Sequence, residues 1–209
     1  FKLSADPRYL YLGPEHLAVY RQAQGVISRR RGLALITGDM GMGKSSLARR
    51  LYDVYASEDM LQICYIHTAA FKSAMDAARQ ISASFDLPPQ RSFQRQMEEL
   101  ERIMAEAYTA SRNVIVLLDD AQLMEPEALE VIHRLYNFDY DAKVVQILAF
   151  GQTINGPGCQ GSKRFRPRRG ANSAGASAAG STLGEVSTWP GAELSSMIAR
   201  GSPHSGGVS

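Results

Sequence analysis

Residues 32–51 read GLALITGDMGMGKSSLARRL, and the order of residue types in this stretch decides the fold. Leu33 to Thr37 is a short apolar run closed by glycines, the length of a buried strand. Ser45 to Tyr55 carries Leu47, Leu51 and Val54 on one side of a helix. Between them Gly38-Asp39-Met40-Gly41-Met42-Gly43-Lys44-Ser45 matches GxxxxGK[ST], placed after a strand and at the start of a helix, where that motif acts. Its glycines let the backbone curl so that successive N–H groups point at phosphate oxygens, and the helix N-terminus adds partial positive charge. Lys44 would neutralise β- and γ-phosphate charge, and the Ser45 hydroxyl would be a magnesium ligand. Gly38 to Ser45, with Ser46, form the candidate nucleotide-binding set.

Outward from this motif, the pattern repeats. Gly13-Pro14 followed by Leu17, Tyr20 and Ile27 predicts a first helix ending near Gly32, since proline is tolerated in a first helical turn. Leu61 to Ile66 reads as a second buried strand and Phe71 to Phe85 as a helix with Met75, Ala78, Ile81 and Phe85 inward. Leu87-Pro88-Pro89 breaks it. Phe93 to Tyr108 holds Met97, Leu100, Ile103, Met104 and Ala107 at helical spacing, which is helix core and no cofactor box. Val114 to Leu118 is a third strand, Pro126 to Phe138 another helix, and Val144 to Phe150 a fourth strand. Strands alternating with helices predict an α/β, three-layer fold with a parallel sheet covered on both faces, and the GxxxxGK[ST] match at Gly38 to Ser45 makes the expectation a P-loop NTPase.

The third strand ends in paired carboxylates, Asp119 and Asp120. A buried strand delivers Asp119 to the carboxyl edge of the sheet, where it can hold magnesium beside Ser45. Asp120 would then orient or deprotonate the attacking water. An apolar strand followed by two acids is weak evidence alone; some 75 residues after a phosphate loop it is the expected partner of that loop.

The charge distribution divides the chain. Residues 1–152 hold 17 Lys+Arg against 19 Asp+Glu, whereas residues 153–209 hold 6 against 2. With 44% hydrophobic and 21% charged residues, the whole has an ordinary globular composition. No apolar run reaches the roughly 18 residues of a membrane-spanning helix, and FKLSADPRYL lacks a basic and hydrophobic leader. Cys64 and Cys159 are too few for a disulfide scaffold or a Cys-rich zinc site. A cytoplasmic location is the expectation, with any inner-membrane attachment made through regions outside this sequence. Phe1, in place of Met, points to an incomplete N-terminus.

Four segments, DPRYLYLGPEHL, GLALITGDMGMGKSSLARRL, VIVLLDDAQLMEPEALEVIHRLYNFDYD and KVVQILAFGQ, together resemble the bacterial AAA+ ATPases of the general secretion pathway protein A type, whose relatives serve pilus biogenesis and DNA transposition. The likeness covers nearly all of residues 1–152. It implies ATP and Mg2+ as ligands, ATP hydrolysis, self-association into a ring or filament, and a protein partner or DNA. It further implies that Asp6 to Leu12 lie near the adenine, that Gly38 to Ser45 are Walker A and Asp119 and Asp120 Walker B, and that Gln152 falls in the sensor 1 region, joining Lys44 and Asp120 in the catalytic set. No Asn/Thr-Lys-x-Asp segment for reading guanine is present, which favours adenine.

Two departures from the family stand out. Asp120 replaces the usual glutamate, one methylene shorter, so nucleotide binding is a safer expectation than fast hydrolysis. After Gln152 the family's further helix, strand and arginine-bearing lid give way to a tail with 11 Gly and 10 Ser in 57 positions. That tail reads as low-complexity and disordered, in the manner of a frameshift product, with a natural linker or a nucleic-acid-binding tail through Lys163 to Arg169 as alternatives. In the family order 5-1-4-3-2, its loss would leave four parallel strands and place the Leu33–Thr37 strand at an unpaired edge, an aggregation liability. His67 and His133 have no ligand neighbours at metal spacing, and Arg29 to Arg31 suit a solvated helix end.

Overall fold

The computed structural model describes residues 13–138, 143–152 and 183–188. In chain order these form α1 (Pro14–Ser28), β1 (Leu33–Gly38), α2 (Lys44–Tyr55), β2 (Leu61–Ile66), α3 (Ala74–Ala83), α4 (Phe93–Thr109), β3 (Asn113–Leu118), α5 (Leu129–Tyr136), β4 (Val145–Gln152) and β5 (Leu183–Thr188), with single 3-10 turns at Ala121–Leu123 and Pro126–Ala128. The predicted strands and helices are present within a few residues. The helix expected from Phe71 begins at Ala74, because the Ser73 side chain caps it by accepting the Asp76 N–H at 3.2 Å. Phe71 itself is fully buried outside the helix.

Four strands are parallel, and the sheet order is β2-β3-β4-β1-β5. Alternation along β3 separates the two cores. Val114, Val116 and Leu118 face the layer of α3, α4 and α5, packing with Met97, Leu100 and Met104, while Ile115 and Leu117 face α1 and α2, packing with Val19, Leu47 and Leu51. All six residues of β3 are buried, which makes it the central support of whatever its carboxyl end carries.

The four parallel strands are those expected, but the expectation that β1 forms an unpaired edge is corrected. Leu183–Thr188 pairs antiparallel with β1, setting Ala34 opposite Thr188, Leu35 opposite Ser187 and Ile36 opposite Val186. Composition hid this strand because backbone pairing needs only an extended segment, and β1 offers one unpaired row of N–H and C=O groups to whatever segment reaches it. The boundary at residue 152 therefore does not bound the sheet. The rest of the tail, including Lys163 to Arg169, and the Asp6 to Leu12 segment lie outside the described residues.

At the amino end of the strands a buried polar network fixes the layers. The Gly32 N–H donates to Gln146 Oε1 at 2.7 Å, Gln146 Nε2 donates to the Lys143 carbonyl at 3.0 Å, and Asn113 Nδ2 donates to the Ile27 carbonyl at 3.2 Å. Gly32 is required there, since its φ is +84° and a Cβ would meet the Tyr136 ring at 2.7 Å. With that end closed by polar contacts, the opposite carboxyl edge is left for function.

Candidate functional site

The carboxyl ends of β1, β3 and β4 converge through register alone. Thr37 lies opposite Gly151 and Gly38 opposite Gln152, while Leu118 pairs with both Ile66 and Ala149. This places Gly38, Asp119 and Gln152, predicted from three separate segments, on one edge. The loop that leaves β1 turns on Gly41 and Gly43, with φ of +81° and +76°. A Cβ at Gly41 would meet nothing within 4 Å, so its backbone borders open space, as a phosphate cradle requires. Asp39 and Met40 are exposed at the loop's rim, with Met40 81% exposed, and Met42 is partly buried beneath it.

Lys44 opens α2 and is 8% exposed. Its Nζ donates to the carbonyls of Gly38 at 2.9 Å and Asp39 at 2.8 Å, across the mouth of the loop. Ser45 is exposed and Ser46 partly buried in the same first turn. Asp119 is 3% exposed; its Oδ1 accepts the Asp120 N–H at 2.9 Å and its Oδ2 lies 3.5 Å from the Tyr65 hydroxyl, which is also 3.5 Å from the Ser45 carbonyl. Burial, and then the negative charge of Asp119, push the Tyr65 phenol well above the usual range, so the hydroxyl keeps its proton and acts as a donor. Asp120 sits in the left-handed region with φ +52°, and its Oδ1 accepts from Gln122 Nε2 at 3.1 Å. Left-handed backbone at a non-glycine residue costs about 1 kcal/mol or more and concentrates at working sites.

A family model described as an AAA domain matches residues 27–155. The chain belongs to this AAA domain family. General secretion pathway protein A from Aeromonas hydrophila is 26% identical over 155 residues, which make up 73% of this chain and 28% of that protein, so the chain spans little more than a quarter of its relative's length. Among solved structures, Cdc6p from Pyrobaculum aerophilum is similar with a TM-score of 0.52 and 18% identity, over 69% of this chain and 41% of that one. The structure of Drosophila ORC bound to DNA is similar with a TM-score of 0.50 and 15% identity, over 66% of this chain and 37% of the other. At such identities these two likenesses establish the fold.

Three side chains of the AAA domain's carboxyl edge escape a reading by motif. His16, from α1, donates from Nε2 to the Met42 carbonyl at 3.0 Å and so ties the phosphate-loop candidate to the first helix. Its Nε2 would also stand 3.4 Å from a Cβ at Gly43. Tyr65 joins β2 to the carboxylates, its ring tilted against those of Tyr52 at 5.7 Å and His67 at 4.1 Å between centroids. Gln122 connects Asp120 to β4, accepting the Gln152 N–H on Oε1 at 3.1 Å. Only the Gln122 position has a sequence signal, its place two residues after the acidic pair. His67 is exposed and packs against Tyr65, and His133 meets Asn137; among the described residues no group of three His, Cys, Asp or Glu side chains is placed to hold a metal ion. Among the described residues no helix is long and apolar enough to cross a membrane.

Proposed function

We propose that this AAA domain binds ATP with magnesium in the loop Gly38 to Ser46 and hydrolyses it, using the cycle to change its contacts with a partner. The observation that carries the reading is a pair of buried, opposite charges at one sheet edge, each without an ionic partner among the described residues. A buried ammonium satisfied only by carbonyls, and a buried carboxylate satisfied only by a peptide N–H and a phenol, are costly unless an anion and a cation complete them. A nucleotide phosphate and a divalent cation are that complement. Ser45 Oγ and the Asp119 carboxylate would hold magnesium, which supplies neutralisation of phosphate charge. Lys44 would release its two carbonyls to reach phosphate oxygens, and Asp120 would orient the attacking water, with Gln152 at the end of β4 facing the same reaction.

The partner class follows from kinship with general secretion pathway protein A: we assign the cycle to an envelope-secretion or pilus machine, ahead of DNA transposition, in a self-associated ring or filament. A second reading is favoured by one observation. Asp120 is an acid one methylene shorter than the family's usual glutamate, which suits a nucleotide-regulated partner- or DNA-binding module with little or no turnover. Calorimetric titration with Mg-ATP, Mg-ADP and Mg-GTP, with Asp119→Asn alongside, tests binding; adenine nucleotides should bind and Asp119→Asn should weaken the magnesium-dependent part. Absence of nucleotide binding by the parent protein overturns both readings. Single-turnover assays of Asp120→Glu and Asp120→Asn then choose between them: a faster glutamate variant and an inactive asparagine variant identify Asp120 as the working acid.

A further inference from the structure

We infer that Gln122 is a positioning residue, holding the carboxylate of Asp120 in its working orientation and linking it to the end of β4. The inference rests on the proposed reading of Asp120 as the water-orienting acid. Its backbone is fixed on both sides: the Asp120 N–H donates to Asp119 Oδ1 at 2.9 Å, and the Asp120 carbonyl accepts the Leu123 N–H at 2.9 Å. That holds the left-handed φ of +52° in place but leaves the side chain free to turn. Gln122 removes this freedom, because its amide commits both ends. Nε2 donates to Asp120 Oδ1 and Oε1 accepts from the Gln152 N–H, each at 3.1 Å. Packing closes the link: a Cβ at Gly151 would stand 3.4 Å from Gln122 Oε1 and 3.7 Å from its backbone nitrogen. One carboxylate oxygen is thereby held by Gln122, and the orientation of the other follows. For an acid one methylene shorter than glutamate, a reaction governed by positioning depends on this restraint.

Gln122→Met keeps the side-chain length and removes both hydrogen bonds. Gln122→Glu keeps an acceptor for the Gln152 N–H and removes the donor toward Asp120. In the nucleotide-free protein, amide exchange at Gln152 should be roughly tenfold faster in the methionine variant and near the parent rate in the glutamate variant, with Leu148 unchanged in both. With saturating Mg-ATP, kcat should fall roughly tenfold in both variants while KM stays within about twofold. Unchanged kcat in the glutamate variant, or a loss carried by KM with kcat unchanged, overturns the inference, and the glutamate variant carries the test if the methionine variant does not fold. A parent that binds Mg-ATP without turnover also overturns it while leaving nucleotide binding intact; a parent that binds no nucleotide overturns the functional reading instead.

Discussion

Replacing Lys44 with alanine distinguishes a lysine that fastens its own loop from one that awaits a phosphate. In the nucleotide-free chain the ammonium makes two short hydrogen bonds, to the Gly38 and Asp39 carbonyls, and is 8% exposed. Hydrogen bonds to a charged donor are worth about 1.5–3 kcal/mol each, so the variant loses about 3–6 kcal/mol of attraction. Against this stands the desolvation of an ammonium with no ionic partner among the described residues, several kcal/mol after relaxation, which the variant no longer bears. The two nearly offset, and the free protein should lose no more than about 2 kcal/mol of stability in urea unfolding. Nucleotide affinity has no such compensation: losing one charge-assisted contact to phosphate, about 3 kcal/mol, weakens binding by roughly 100-fold. Calorimetric titration with Mg-ADP, run beside urea unfolding of both proteins, measures the two quantities separately. An alanine variant that unfolds readily yet binds within about threefold of the parent would refute the argument, because the lysine would then be a structural fastener.

Three further outcomes follow from particular contacts. Tyr65→Phe removes the hydroxyl that lies between Ser45 and Asp119; nucleotide affinity with magnesium should weaken by roughly three- to tenfold while affinity in chelator is unchanged, and equal loss in both would disprove a role at the metal position. Cys64 is buried, which pushes its thiol up to about 11; in a Cys159→Ser background the folded protein should resist alkylation at pH 8 and react rapidly once unfolded. Because the folded thiol holds its proton more tightly than the unfolded one, its contribution to stability is full below the unfolded value of 9.0 and is lost as pH rises toward about 11, which urea unfolding across that window checks. A chain ending at Gln152 loses the antiparallel partner of Ala34 to Ile36, so it should aggregate more readily and exchange β1 amides faster; unchanged β1 protection would show that β5 contributes nothing.

The sequence by itself determined the parts of this AAA domain that depend on local chemistry. Lys44, Ser45 and the glycines were legible as the proposed phosphate loop because such a turn needs those residue types within eight consecutive positions, and Gly41 and Gly43 have the positive φ that it would use. The strands and helices were legible because burial repeats every two residues in one and every 3.6 in the other, and Val114 to Leu118 could announce both a central strand and the carboxylate pair it carries. Only the tertiary structure decided what meets across distance. His16 reaches the loop from 26 positions earlier, Tyr65 reaches Asp119 from 54 positions away, and Gln122 reaches Gln152 over 30. His16 and Tyr65 read locally as ordinary helix and strand residues, Gln122 is marked only by its place after the acidic pair, and no periodicity encodes the partner of any of them. The same reason hid β5: a six-residue strand of a glycine- and serine-rich tail pairs with β1 through backbone groups that every residue type except proline possesses in full, so only the position of β1 in the sheet, with one side open, selects it.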